Sequence, residues 1–216
     1  MVLEVKNLIF KYPYGEIALD GVSFTADENG LAVFSKPKNG KTTLLNCLAG
    51  LTIPLPQGEI LLDGESVFEK KLKDRDVCLM REDGGLNKYR TARHCLSYPL
   101  KIRKFPKNEI YPLVTESAKT FNCEHMLFDL CKNLDADDVC RLALARALVR
   151  AKSGAKLILI DNIFNVMKEY QRREVFEELK QPLLALRNCG AVVIFATDSE
   201  YEASVFKENG AEFIKL

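Results

Sequence analysis

The stretch "LAVFSKPKNGKTTLLNCLAGL", residues 31–51, constrains the fold more than any other part of the chain. A short apolar run leads into a polar loop that closes on Gly40-Lys41-Thr42, and an apolar helical pattern follows. Strand, loop and helix in that order form a cradle for phosphate groups. Backbone N–H groups and the positive helix end face the anion, a lysine reaches the terminal phosphates, and a Ser or Thr hydroxyl is offered to Mg²⁺. Lys41 and Thr42 are the residues placed for those two roles. The tripeptide alone is a weak signal, and its position between a buried strand and a helix gives it weight. Ser35 and Lys38 stand where such a loop usually carries glycines. A side chain forced to positive φ there costs on the order of 1 kcal/mol, and Asn39 is of a residue type that accepts such a conformation. Lys36 and Lys38 are read first as solvated cations.

A second apolar strand, "KLILID" (156–161), ends on Asp161, where a carboxylate can hold Mg²⁺ through water. Other strand patterns are "LEVKNLIFKY", "GVSFTA" after a turn at Asp20-Gly21, "GEILLDGESV", "DVCLMR" and "AVVIFAT" (191–197). From about residue 84 to 153 the character changes: prolines 99, 106 and 112 punctuate helical patterns, and strand signals are weak. A long amphipathic stretch occupies 167–187. Strands alternating with helices predict an α/β fold whose mainly parallel sheet is covered on both faces. The expected organisation is one domain, 1–216, with an α/β core at 1–82 and 154–216 and an inserted helical subdomain at 83–153.

The 216 residues suffice for one large core, and a net charge of +1 removes any global electrostatic case for nucleic acid or an anionic surface. The apolar runs at 142–149 and 191–197 are too short to cross a bilayer. Seven scattered cysteines, without a C-x-x-C pair or an N-terminal signal pattern, fit a reducing cytosol. Cys123, His125, Cys131 and Cys140 match no familiar zinc spacing and are read as thiols without metal.

The chain resembles, from its first residues to its last, the nucleotide-binding domain of ATP-binding cassette (ABC) ATPases. The residues that carry the resemblance are the Gly-Lys-Thr loop, "ALDGVSF" after Tyr12, "GEILLDGESV", "LNKYRTARHCL", "RLALARALV" (141–149) and "KLILIDN". The R-x-x-L-A-R-A-L helix about a dozen residues before the Asp161 strand separates it from generic P-loop kinases. The resemblance implies a P-loop cassette with an N-terminal antiparallel β subdomain, ATP and Mg²⁺ as cofactors, and Tyr12 stacked on the adenine. It assigns Ser35, Lys38, Asn39, Gly40, Lys41, Thr42 and Thr43 to the nucleotide, and Thr42, Glu82 and Asp161 to Mg²⁺. It further implies a cytoplasmic bare cassette, peripheral at the inner face of a membrane through a permease subunit, paired with a second cassette as homo- or heterodimer. Neither membrane insertion nor nucleic-acid binding is expected: the family's repair and translation branches usually carry a long coiled coil or two fused cassettes. The basic run "KIRKFPK" (101–107) lies in the subdomain that contacts the permease in this family, although a solvated face is the first reading.

The same resemblance exposes departures. Asn162 stands at the position of the family's general-base Glu, Asp198 at its switch His, and Glu82 at its Gln. "LDADD" (134–138) replaces the LSGGQ signature, and "NVMK" (165–168) replaces S-A-L-D. An amide cannot take a proton usefully near neutral pH, and aspartates repel a γ-phosphate. Three readings stay open: an ABC-type subunit that binds MgATP with weak or absent hydrolysis, a structural or regulatory pseudo-cassette without nucleotide, and an active ATPase with Glu82 as an unusual base.

Overall fold

A computed structural model describes residues 1–55, 58–71 and 75–216. They form two compact units, one of residues 1–79, 156–162 and 190–216, the other of residues 80–155 and 163–189.

The first unit contains two sheets. Strands β1 (Leu3–Lys11), β2 (Ile17–Ala26), β4 (Glu59–Leu62) and β5 (Glu65–Ser66) make a sheet in the order β2-β1-β4-β5, with antiparallel pairing. Strands β3 (Leu31–Phe34), β6 (Val77–Met80), β7 (Leu157–Asp161), β8 (Val192–Thr197) and β9 (Glu212–Lys215) make the second, in the order β6-β7-β8-β3-β9. Its β7–β8, β8–β3 and β3–β9 pairs are parallel. Helix α1 (Lys41–Leu48) brings Leu44, Leu45 and Leu48 into one core with Leu3, Leu8 and Ile60 of the antiparallel sheet and Leu157, Leu159, Val192 and Ile194 of the parallel one. Alternate residues of β8 point the other way. There Phe195 stacks on Phe206 of helix α6 (Glu200–Glu208), with ring centroids 4.3 Å apart and planes 5° from parallel. Strands β3, β7 and β8 read as continuous apolar runs because both their faces are covered.

Asp20-Gly21 is no turn. Both residues lie inside β2, where Val22 stays paired with Leu8 and Leu19 with Phe10 across a register shift. Gly21 takes φ +69°, the conformation a bulge asks of glycine, and the chain reverses instead at residues 12–16. Beyond "AVVIFAT" the chain adds α6 and β9, elements the strand patterns did not mark. Ser199 caps α6, its hydroxyl accepting from the Glu202 N–H at 3.3 Å, while its own N–H donates to the Thr197 hydroxyl at 3.0 Å and the Glu202 carboxylate accepts from that same hydroxyl.

The second unit is helical: α2 (Ala92–Ile102), α3 (Lys107–Thr120), α4 (Ala136–Lys152) and α5 (Glu169–Leu184), with α2 and α3 packed on α4. Pro106 is the N-cap of α3, where a missing N–H costs nothing, whereas Pro99 and Pro112 lie inside α2 and α3. Residues 163–189, which include α5, cluster with this unit.

Candidate phosphate-binding site

The order β7-β8-β3 puts three strand ends side by side at one edge of the parallel sheet. Phe34 pairs with Thr197 and Asp161 with Ala196, and the Ser35 N–H donates to the Thr197 carbonyl at 3.3 Å. The loop after β3, Asp161-Asn162 after β7 and Asp198 after β8 therefore meet at the carboxyl ends of parallel strands, where α/β sheets bind ligands.

The loop itself is tightly drawn. Gly40 takes φ +86°, and a Cβ there would stand 2.4 Å from the Ala18 carbonyl oxygen. Lys38 also adopts positive φ, +69°, so the left-handed residue among the loop's polar side chains is Lys38 and not Asn39. The Lys41 side chain is 6% exposed and its ammonium folds back onto the loop. It donates to the Ser35 carbonyl (2.5 Å), the Ser35 hydroxyl (3.2 Å) and the Lys36 carbonyl (3.1 Å). Ser35 is fully buried beneath it. Thr42 is exposed, whereas Thr43 is buried and shares a 2.9 Å hydrogen bond with the Tyr12 hydroxyl. Tyr12 is half exposed and packs edge-on against Phe10. Lys36, Lys38 and Asn39 are exposed.

Helix α1 starts without a side-chain cap and without an acidic residue in its first turn. With Lys41 as its first residue and the exposed Thr42 as its second, this helix start has the chemistry to meet the phosphates of a nucleotide, and no carboxylate competes in that turn. Mg²⁺ bound with such a ligand takes most of its oxygens from phosphate and water. It therefore asks little of the chain beyond Thr42 and the buried Asp161.

Asn162 and Asp198 face each other across the ends of β7 and β8. The Asn162 amide donates to Asp198 Oδ2 at 3.3 Å, and the Asp198 N–H donates to Asn162 Oδ1 at 3.3 Å. Asn162 has φ +48°, and its own N–H is held by the Ala196 carbonyl at 2.8 Å. Asparagine tolerates this backbone, and its side chain both donates and accepts, so a single residue meets both demands.

The remaining candidates lie in the helical unit. Glu82 accepts from Asn165 Nδ2 at 2.6 Å, and Asn165 Oδ1 accepts from Arg172 at 3.1 Å. In the acidic segment, Asp135 is the N-cap of α4 and accepts from the Asp138 N–H at 2.9 Å. Asp137 accepts from Arg141 Nε at 2.8 Å. Arg141 then grips Glu178 with two contacts, 2.8 and 2.6 Å, and Asn122 also donates to Glu178 at 2.9 Å. These donors hold the Glu178 carboxyl down at about 2, and the Glu178 and Asp137 carboxylates raise the Arg141 guanidinium further. Burial pushes Asp138 up, and the neighbouring Asp135 and Asp137 add to it. The two helix starts thus differ in kind: α1 is open to an anion, and α4 is capped and filled by its own carboxylates. The Asn162–Asp198 and Arg141–Glu178 partnerships join residues 36 and 37 apart, and no local pattern announces either.

Among the described residues, no group of three or more His, Cys, Asp or Glu is placed to hold a metal ion. Cys123 and Cys140 are fully buried thiols, and burial pushes Cys123 up to about 12. No described helix is long and apolar enough to cross a membrane.

No family model matches the chain. It is 28% identical over 203 residues to the sn-glycerol-3-phosphate import ATP-binding protein UgpC of Bartonella quintana, covering 94% of this chain and 56% of that protein. It is 30% identical over 193 residues to the trehalose import ATP-binding protein SugC of Mycobacterium tuberculosis, covering 89% of this chain and 47% of that one. The chain therefore spans about half the length of the curated relatives it matches. In fold it is similar to the dimeric bacterial ABC transporter cassette MJ0796, with TM-score 0.79 at 21% identity over 99% of this chain and 94% of that one. A second structure of MJ0796, bound to ADP and Pi, superposes with the same TM-score of 0.79.

Proposed function

We propose that this chain, which belongs to the ABC family of nucleotide-binding domains, is an ATP-binding subunit of a membrane transporter that binds MgATP and hydrolyses it weakly or not at all. Lys41, with Ser35, Lys38, Asn39, Gly40, Thr42 and Thr43, would hold the phosphates. Tyr12 would meet the base, and Thr42, Asp161 and Glu82 would meet Mg²⁺. The relatives are import ATP-binding proteins, which supports a permease subunit and a second cassette as partners and a peripheral place at the inner face of the membrane. ATP itself would supply the phosphoanhydride bond. This chain's residues would supply the phosphate contacts from the loop after β3 and the start of α1.

One observation carries the reading: the amide of Asn162 is paired with Asp198 at the strand ends beside Asp161. An amide engaged in this way takes no proton from water, and its carboxylate partner repels rather than anchors a terminal phosphate. The test is MgATP affinity and turnover of the chain beside Lys41→Ala. Binding that is lost in Lys41→Ala, with negligible turnover in the parent, is the expected result. A parent that binds no MgATP overturns it in favour of the pseudo-cassette. That second reading has one observation of its own, because Lys41 is already satisfied by loop oxygens. Turnover lost in Glu82→Gln would instead identify an active ATPase.

A further inference from the structure

Six of the seven cysteines are buried, and Cys189 is partly exposed. Two of the buried ones, Cys95 on α2 and Cys131 in the short turn Cys131–Asn133, stand with their sulfurs 3.5 Å apart. The backbone around them is laced together. Ala92 N–H donates to Asp129 O (2.9 Å), Arg93 to Leu127 (2.8 Å), Cys131 to Arg90 (2.9 Å) and Lys132 to Lys88 (3.1 Å), and Thr91 and Leu130 form an antiparallel bridge. The two thiols are therefore held opposite each other by the main chain. A disulfide needs its sulfurs at about 2.0 Å, so the two must approach by roughly 1.5 Å for the bond to close.

Access comes from one side. A cavity of about 420 Å³ has Cys95 in its wall together with Arg90, His94 and Arg146. Cys131 is not in that wall. Burial, and the hydrogen bond with Cys95, raise its thiol.

We propose that Cys95 and Cys131 are an oxidisable dithiol, converted to an internal disulfide by a small anionic disulfide of the glutathione-disulfide class that enters this cavity. Cys95 Sγ gives its proton to solvent and attacks one sulfur of the small disulfide. The S–S bond breaks, and the departing thiolate takes up a proton. Cys131 Sγ then gives its proton to solvent, attacks Cys95 Sγ in the mixed disulfide and releases the second small thiolate. Two protein thiols are oxidised, and one disulfide is reduced to two thiols. The new bond would tie the first turns of α2 to the turn that runs into Leu134–Asp138 and the start of α4. The proposal is independent of nucleotide binding.

The test uses the full chain and a Cys189→Ser variant, folded, in buffers of increasing glutathione disulfide over glutathione, quenched with acid and alkylated under denaturing conditions. In the full chain the expected result is a fall from seven free thiols to five, with one cross-linked peptide joining Cys95 to Cys131. Cys189→Ser gives the same cross-link. Three outcomes would each overturn the proposal: seven free thiols in excess oxidant, glutathione left on Cys95 without an internal bond, or a cross-link that appears only in urea strong enough to unfold the protein.

Discussion

The Asn162 side chain and Asp198 exchange two hydrogen bonds, each 3.3 Å long, across the adjacent ends of β7 and β8. The pair has a direct consequence for engineering the site. Asn162→Glu removes the donor, sets a second carboxylate against Asp198, and puts a residue less tolerant of φ +48° at that position. The single substitution is expected to lower stability by about 1–3 kcal/mol. Replacing Asp198 by His in the same chain should recover part of that loss. Urea denaturation of the two singles and the double at neutral pH would show a coupling of about 0.5 kcal/mol or more. Additive effects would mean that the two side chains do not act as a pair. For the same reason, turnover is better sought in the double variant than in Asn162→Glu.

Gly40 and Lys38 make opposite predictions from the same backbone region. A methyl group on Gly40 meets the Ala18 carbonyl at 2.4 Å, and backbone does not yield as a flexible side chain would. Gly40→Ala should cost about 2–4 kcal/mol in thermal or urea unfolding, since strain at positive φ adds to the clash. Lys38 already sits at φ +69° with its side chain exposed. Lys38→Gly removes roughly 1 kcal/mol of left-handed strain against a comparable gain in unfolded-chain entropy, so stability should change by less than about 1 kcal/mol. A large loss in Lys38→Gly would show that the side chain has a structural role.

The sequence made the buried strands legible because β3, β7 and β8 are covered on both faces and read as unbroken apolar runs. β2 was half legible: Asp20-Gly21 has the composition of a turn, and only its pairing with β1 reveals a bulge. The strand β9 is short and three of its four residues are exposed, so it carries little hydrophobic signal. Helix α6 did carry one, the S-x-x-E pattern at Ser199, of which the structure uses the serine cap. At the site, the loop and Asp161 could be located from local order alone. The Asn162–Asp198 pair could not, because it depends on β7 lying beside β8, a fact of topology rather than of either strand's composition.

The acidic start of α4 can be divided by function. Asp135 accepts the Asp138 N–H, which satisfies one of the orphan donors of the first turn. Asp135→Ala should therefore cost about 1 kcal/mol, whereas Asp135→Ser should be close to neutral, since a serine hydroxyl caps as well. Thermal unfolding of the two variants side by side measures the difference. Equal losses would mean that the carboxylate charge, rather than the cap, is what matters there.

Arg141 and Glu178 give the helical unit a pH dependence whose sign follows from the geometry. Glu178 is held down at about 2 from its ordinary 4.5, first by the Arg141 guanidinium and then by the Asn122 amide. A carboxyl that is more acidic in the folded state stabilises the fold fully above its unfolded value. It loses that contribution as the pH falls from about 4.5 towards 2. The Glu178 side chain is 46% exposed while that of Arg141 is 10% exposed, so solvent screens the pair and its worth is roughly 1 kcal/mol. Glu178→Gln should therefore lower stability at pH 7 by about that amount. The gap from the parent should narrow as the pH is taken down through the window, because the parent's own carboxyl is then protonated. Stability curves for the two proteins that stay parallel from pH 5 to about pH 2 would show that the two Arg141 contacts do not set the acidity of Glu178.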